Sequence, residues 1–297
     1  MKAVFIGLGR MGSRMAGRML GAGLPLGVHN RTAGRARELG AQGAQVIDSL
    51  EEALSGAGLV FTMLSDDPAL EGVLNERTAK LLSRGATHVS FSTVSPAAIL
   101  RTSWLLESVG AKSLSSPVMG RPEAAKAGKL RLLLSGPKAA KEVAAPYLAP
   151  LGEPFDFGED PKSALLVKLG FNLMIASMIE TLSEAFCLVE KGGVDPEAFF
   201  GLVSGTLFDA PAVKTYGGLI LKGKFGDAGF SMALGAKDVG LVASEAESSK
   251  TPMPLAGLLK ERFDKGLSLG WKDRDWCAIS ELQRENAGLP PRDPWEG

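Results

Sequence analysis

Three glycines, Gly7, Gly9 and Gly12, stand in the run FIGLGRMGSRMA directly after a short apolar segment, and Lys168 and Asn172 stand four positions apart in a long apolar stretch. The glycine spacing suits a diphosphate. The first glycine permits a tight turn, the second lets a pyrophosphate approach the backbone, and the third lets a helix pack closely on the strand with its free N–H groups facing the phosphate. In a chain with 37 glycines that spacing alone is a weak signal, and its place between a strand and a helix is what makes it a dinucleotide fingerprint. Lys168 and Asn172 share one helix face, so an ammonium and an amide can meet the same ligand. A lysine in so apolar a stretch is costly to bury, and burial lowers its pKa toward the range useful for proton transfer; the alternative is a stem along apolar surface with its head in water.

A second strand, LPLGVHN, ends where a dinucleotide domain usually places an acidic residue for the adenosine ribose. This chain has Asn30-Arg31-Thr32 there and no carboxylate before Glu38. A guanidinium suits a ribose 2′-phosphate through charge-assisted hydrogen bonds, and Thr32 can donate another, so NADP(H) is expected in preference to NAD(H). Arg31 as a solvated residue at a helix start is the other reading. Ser92 and Thr93 close a further predicted strand, at the sheet edge where open α/β folds bind ligands; the same pair could cap a helix opening at Pro96.

The elements that must position these residues follow from the apolar pattern. Up to about Pro161, the runs AVFIG, LPLGVH, GLVFTML, HVSFS, AKSLS, LRLLLSG and PFDFG alternate with helical stretches, which predicts a mostly parallel sheet covered on both faces. Asp160 then offers an N-cap and Pro161 a first helical position for one helix that runs to Gly192. Being apolar nearly all round, that helix is expected to be buried. Lys168, Asn172, Glu180 and Glu184 interrupt it, which argues against a membrane span. Helical segments follow near Pro196–Ser204, Ala212–Leu221, Ala233–Ser249, Pro254–Lys265 and Trp276–Asn286 without a strand pattern, and the tail GLPPRDPWEG is too rich in proline and glycine to continue a helix. The expected architecture is an α/β dinucleotide-binding domain over residues 1–160 and an all-α domain over 161–297.

Composition narrows the partners. Lys plus Arg and Asp plus Glu are both 33, so no net field favours nucleic acid or an anionic membrane, and an anion site has to be local. Cys187 and Cys277 are the only cysteines and there are two histidines, too few for a disulfide framework or a zinc cluster, so no metal is expected and a reducing cytoplasm fits. Met1-Lys2 leads straight into AVFIG, without the longer apolar core or small-residue cleavage site of a signal peptide.

The stretch GLGRMGSRMA shares Leu8, Met11, Met15 and Ala16, besides its glycines, with one family. Four further matches follow in that family's order: TML at Thr62–Leu64, STVSP at Ser92–Pro96, KLGFN at Lys168–Asn172 and KD at Lys237-Asp238. Over almost its whole length the chain resembles the β-hydroxyacid dehydrogenase family. The resemblance implies a Rossmann-type N-terminal domain, a long interdomain helix, a helical C-terminal domain that forms dimers or tetramers, and a small-molecule substrate. It implies Lys168 as the catalytic lysine and Asn172 as its partner. Substrate contacts map to Ser92, Thr93, Met119, Gly120, Arg121 and Lys237. Cofactor contacts map to Gly7, Leu8, Gly9, Arg10, Met11, Gly12, Asn30, Arg31, Thr32, Met63, Leu64, Thr93, Lys237 and Asp238.

Two departures stand out. Ser90 occupies the first position of a motif the family commonly reads D-x-S-T, and Ser116-Pro117-Val118-Met119-Gly120-Arg121 stands where it commonly reads A-P-V-S-G-G. Met119 brings bulk to a loop whose small residues admit a carboxylate in the family, and Arg121 either replaces that anion contact or is merely exposed before Pro122. The reading that follows is an NADPH-dependent oxidoreductase interconverting a small aldehyde or keto compound, expected to be an acid, and its hydroxy form, with a non-catalytic NADP-binding sensor or scaffold on the same fold as its rival. Imine reductases share the architecture but generally lack the lysine, so Lys168 argues against that chemistry.

Overall fold

The computed structural model describes residues 1–293; residues 294–297, the end of the proline-rich tail, lie outside the described part. It divides into two compact units, the first Met1–Lys168 and the second beginning at Leu169.

The first unit opens β1 (Ala3–Ile6), α1 (Gly12–Gly21), β2 (Gly27–His29), α2 (Gly34–Gly40), β3 (Gln45–Val46), α3 (Leu50–Leu54) and β4 (Leu59–Thr62). It continues through α4 (Asp67–Val73), α5 (Glu76–Ala79), β5 (Thr87–Ser90), α6 (Pro96–Ser108) and β6 (Lys112–Ser115). These strands form one parallel sheet in the order β3-β2-β1-β4-β5-β6. The order reverses beside β1, the point where doubly wound sheets bind ligands beyond their carboxyl ends. Alternation on β1 and β4 feeds two cores. Phe5, Leu59 and Phe61 enter one, where Phe61 and Phe91 stack 5.8 Å apart, and Val4, Ile6 and Val60 enter the other with Ala98 and Ile99 of α6.

The expected single sheet is in fact two. After β6 come β7 (Val118–Met119), α7 (Pro122–Ala127), β8 (Leu130–Leu134), α8 (Lys138–Leu148) and β9 (Gly152–Asp156), and β7-β8-β9 make a separate sheet in which β7 runs antiparallel to β8. The two-residue strands β3 and β7 carry no readable alternation, so the sequence pattern missed them.

The long helix α9 is Ser163–Lys191 and passes from the first unit into the second. It starts later than Pro161 because Asp160 closes a turn instead: its carbonyl accepts from Ser163 N at 3.0 Å and its carboxylate from Lys162 N at 3.2 Å. It stops at Gly192-Gly193, where Gly193 takes φ +78°. By length and composition α9 could cross a membrane, yet Leu165 packs into a core of the first unit and Ala176, Ile179, Leu182 and Phe186 into that of the second. The expectation that it is buried all round fails: Met174 is 68% and Leu188 75% exposed in the single chain.

The second unit continues with α10 (Pro196–Gly205), α11 (Pro211–Lys222), α12 (Met232–Ser248), α13 (Pro254–Ser268), a 3-10 turn at Trp276–Ala278, and α14 (Ile279–Asn286). The 3-10 turn splits the expected last helix because the Asp275 carboxylate caps Cys277 N and also accepts from Gly229 and Phe230. Both cysteines are buried.

A buried imidazole makes the first unit sensitive to acid. His88 on β5 is fully buried, with Nε2 2.9 Å from Thr62 Oγ1, and burial lowers its pKa to about 3. The unfolded chain therefore binds the extra proton from the ordinary value near 6.5 downward, while the folded chain resists it until about 3. Stability is expected to fall as pH drops through that window, at a limiting slope of about 1.4 kcal/mol per unit. Urea melts of the parent and His88→Gln between about pH 7 and 4 check this within that window; equal acid slopes would refute it. The comparison with a variant is needed because burial raises the pKa of Glu180 and Glu281, which contributes with the opposite sign.

Candidate active site

The glycine run makes the turn from β1 to α1, and each glycine has its own physical reason. Gly7 takes φ +94°, and a Cβ there would lie 2.4 Å from Met63 O. A Cβ on Gly12 would lie 2.0 Å from Gly7 O, so the helix can start this close to the strand only without a side chain. Gly9 is different: the nearest atom to a Cβ there is Arg35 Nη1 at 4.0 Å, so the protein leaves this position open. The start of α1 has no side-chain cap and no acidic residue in its first turn. An open glycine beside uncapped helix N–H groups fits the pyrophosphate of a dinucleotide.

The neighbouring residues divide between holding the loop and facing outward. Leu8 is buried in the core, its N–H donates to Asn30 Oδ1 at 2.9 Å, and Asn30 Nδ2 donates to Thr32 O, so these two shape the loop. Arg31 and Thr32 are exposed just past β2, and Arg10 is exposed in the loop. Arg35, not singled out from the sequence, reaches back from α2 to donate to Leu8 O at 3.0 Å. Its signal was a second cation four positions after Arg31, where the helix after the second strand opens.

Met63 and Leu64 leave β4 against the same loop, and Leu64 N donates to Ser92 Oγ at 2.8 Å. Ser92 is thus a buried brace between the ends of β4 and β5, with Thr93 half-buried beside it. The cap of α6 is Ser95, whose hydroxyl accepts from Ala98 N at 3.0 Å, so the capping alternative for Ser92 and Thr93 is excluded. Asp67 fixes that turn by accepting from Ser95 N.

Met119 is half-buried on β7, and Gly120 takes φ +136° where a Cβ would lie 2.8 Å from Leu130 Cδ2. Arg121, half-buried, directly precedes α7. On α9, Lys168 is half-buried and Asn172 is 3% exposed, one turn on. Asn172 Nδ2 donates to Asp238 Oδ2 at 2.5 Å, and Lys237 Nζ lies 2.9 Å from Asp238 Oδ1. A carboxylate only accepts, so this bond fixes which end of the Asn172 amide faces Asp238 and leaves Oδ1 as an acceptor. The Lys237-Asp238 pair is therefore no solvated helix charge: Asp238 is 2% exposed and ties α12 to α9. Among the described residues no group of His, Cys, Asp and Glu could hold a metal.

Comparison with known proteins gives the family of the chain. Residues 2–163 match the family model for the NAD-binding domain of 6-phosphogluconate dehydrogenase, and residues 163–282 the model described as NAD-binding of NADP-dependent 3-hydroxyisobutyrate dehydrogenase. The chain is 38% identical to the uncharacterised oxidoreductase YfjR of Bacillus subtilis strain 168, over 94% of this chain and 98% of that one. It is 32% identical to the chloroplastic glyoxylate/succinic semialdehyde reductase 2 of Arabidopsis thaliana, over 93% of this chain and 78% of that one. The solved Mycobacterium tuberculosis 3-hydroxyisobutyrate dehydrogenase with L-serine superposes with a TM-score of 0.87 at 25% identity, covering 95% of this chain and 99% of that one.

Proposed function

Because this chain belongs to the β-hydroxyacid dehydrogenase family, an enzyme family whose members use a nicotinamide dinucleotide on hydroxyl and carbonyl groups, we propose that it is an NADPH-dependent reductase of a small aldehyde or keto acid. The observation that carries the reading is the Asn172 amide, locked by buried Asp238 one helical turn from Lys168. The nicotinamide supplies the hydride when bound. Lys168 gives its proton to the developing alkoxide oxygen, Asn172 orients that oxygen or the ammonium, and Asp238 holds both Asn172 and Lys237 in place. Thr93, Gly120 and Arg121 hold the substrate, with Ser92 bracing the strand ends beside Thr93, the Arg121 guanidinium meeting the acid group and Met119 limiting substrate size. The test is turnover on a panel of small aldehyde acids with NADPH, beside the same aldehydes lacking the acid group. Faster reduction of the uncharged set refutes the acid assignment.

Gly7, Gly9, Gly12 and the start of α1 hold the pyrophosphate, and Arg31 and Thr32 the ribose 2′-phosphate. A hydrogen bond to a charged group contributes about 1.5–3 kcal/mol, so NADPH is expected to bind roughly tenfold or more tightly than NADH. Nicotinamide fluorescence titration checks it, and Arg31→Ala is expected to remove most of the difference. Equal dissociation constants in the parent would refute the assignment.

The exposed apolar side chains of the second unit point to a second copy of the chain. Met174 and Leu188 on α9, Leu202 on α10, and Leu207 and Phe208 beyond it are each more than 60% exposed, more apolar surface than a monomer ordinarily leaves in water. A homodimer or homotetramer is expected, in the cytoplasm. Light scattering that finds only the 31.1 kDa monomer at micromolar concentration would overturn this.

A further inference from the structure

The first turn of α9 is held from outside the helix. Four N–H groups at a helix start lack intrahelical acceptors, and an uncapped start frays. Here Ser163 N finds Asp160 O at 3.0 Å and Leu166 N finds Lys162 O at 3.0 Å, while Ala164 N, fully buried, donates to the hydroxyl of Ser135 at 3.0 Å. That hydroxyl in turn donates to Pro161 O at 2.9 Å, so one oxygen ties both the turn before α9 and its second residue.

Ser135 is itself immobilised. It follows β8, is fully buried, and exchanges two backbone bonds of 2.9 Å with Ser115 at the end of β6. The next residue, Gly136, takes φ +144°, and a Cβ there would lie 2.7 Å from Ser113 O, so only glycine lets the chain lie this close to β6. Ser115 is in register with Ser90 on β5, two positions before the Ser92-Thr93 pair. An unbroken series of backbone and hydroxyl contacts thus runs from the β5 end through Ser115 and Ser135 to Ala164. Lys168 lies one helical turn beyond Ala164 on the same face.

We propose that Ser135 is a positioning residue for the reaction: its hydroxyl caps α9 from β8 and fixes the height at which Lys168 is presented relative to the end of β5. This rests on Lys168 being the proton donor. Proton transfer requires reacting atoms about 3 Å apart, and a displacement of about 1 Å can cost about 10²-fold in rate. An untied helix start gives the donor such freedom, whereas the glycine loop, held through Leu8 by Asn30 and Arg35, keeps its shape.

The test is Ser135→Ala and Ser135→Thr in the full chain, with kcat expressed per NADPH-binding site. Ser135→Ala is expected to lose about tenfold in kcat with KM and the NADPH dissociation constant within about twofold of the parent, and its solvent deuterium isotope effect on kcat is expected to rise because proton transfer has become slower. Ser135→Thr, which retains the hydroxyl, is expected to restore most of kcat. A Ser135→Ala protein that melts at lower temperature but keeps its kcat and isotope effect overturns the proposal, since the hydroxyl then serves stability alone. If Ser135→Ala does not fold, amide exchange in the parent decides: protection of the Ala164 amide equal to mid-helix residues supports the cap, and exchange at the rate of a frayed end overturns it. Lys168→Ala separates the two readings. Parental turnover there removes the general acid and this inference with it, whereas lost turnover there with an unaffected Ser135→Ala removes this inference alone.

Discussion

Lys168→Ala is expected to lose about 10²–10⁴-fold in turnover, the usual contribution of a positioned proton donor, while binding NADPH as the parent does. The separation is expected because the dinucleotide contacts assigned to Gly7, Gly9, Gly12, Arg31 and Thr32 lie around the β1 and β2 ends, whereas the lysine lies on α9. Lys168→Arg should rescue little, since a guanidinium keeps its proton at neutral pH. Asn172→Ala should cost less in rate, because it removes orientation and leaves the donor; it also strands part of the Asp238 carboxylate, which is 2% exposed, so a loss of stability accompanies it. Steady-state reduction of the best substrate from the aldehyde-acid panel, with fluorescence titration of NADPH and a thermal melt, measures all three. A folded alanine variant that binds NADPH and turns over at the parent rate would make Lys168 a structural residue and refute the mechanism.

Alanine at Gly9 and at Gly12 should fail in opposite ways. At Gly12 the added Cβ meets the Gly7 carbonyl at 2.0 Å, a backbone atom that no rotamer change can move, so α1 must separate from β1. A loss of about 3 kcal/mol or more in stability is expected, seen as a lower urea midpoint even without cofactor. At Gly9 the protein itself has room, with the nearest atom at 4.0 Å, so the unliganded variant should melt like the parent. The cost appears only when a pyrophosphate approaches the backbone there, and a loss of tenfold or more in NADPH affinity, about 1.4 kcal/mol, is expected. A Gly9→Ala protein with parental NADPH affinity would refute this placement of the diphosphate. The paired design separates folding from binding within a single loop.

The family and its Rossmann-type α/β unit were legible in the sequence because their determinants are local. A glycine at positive φ, a third glycine against a strand and an uncapped helix start all fall within a dozen consecutive residues, and the alternation on β1 and β4 records two buried faces directly. The stop of α9 at Gly192-Gly193 was legible for the same reason, as were Lys168 and Asn172 on one helix face. What the tertiary structure decided is wherever a residue's partner is distant in the chain. Asp238 locks Asn172 from 66 positions away, Ser135 caps Ala164 from 29, and Arg35 closes on Leu8 from 27. Likewise the short strands β3 and β7 are defined by their neighbours' ladders, the start of α9 is tied by the distant Ser135 hydroxyl, and the apolar faces of α9 are divided between core and solvent by how the chain packs. Local sequence fixes backbone conformation and the period of burial; which polar groups satisfy one another across the core depends on three-dimensional proximity, and linear spacing does not encode it.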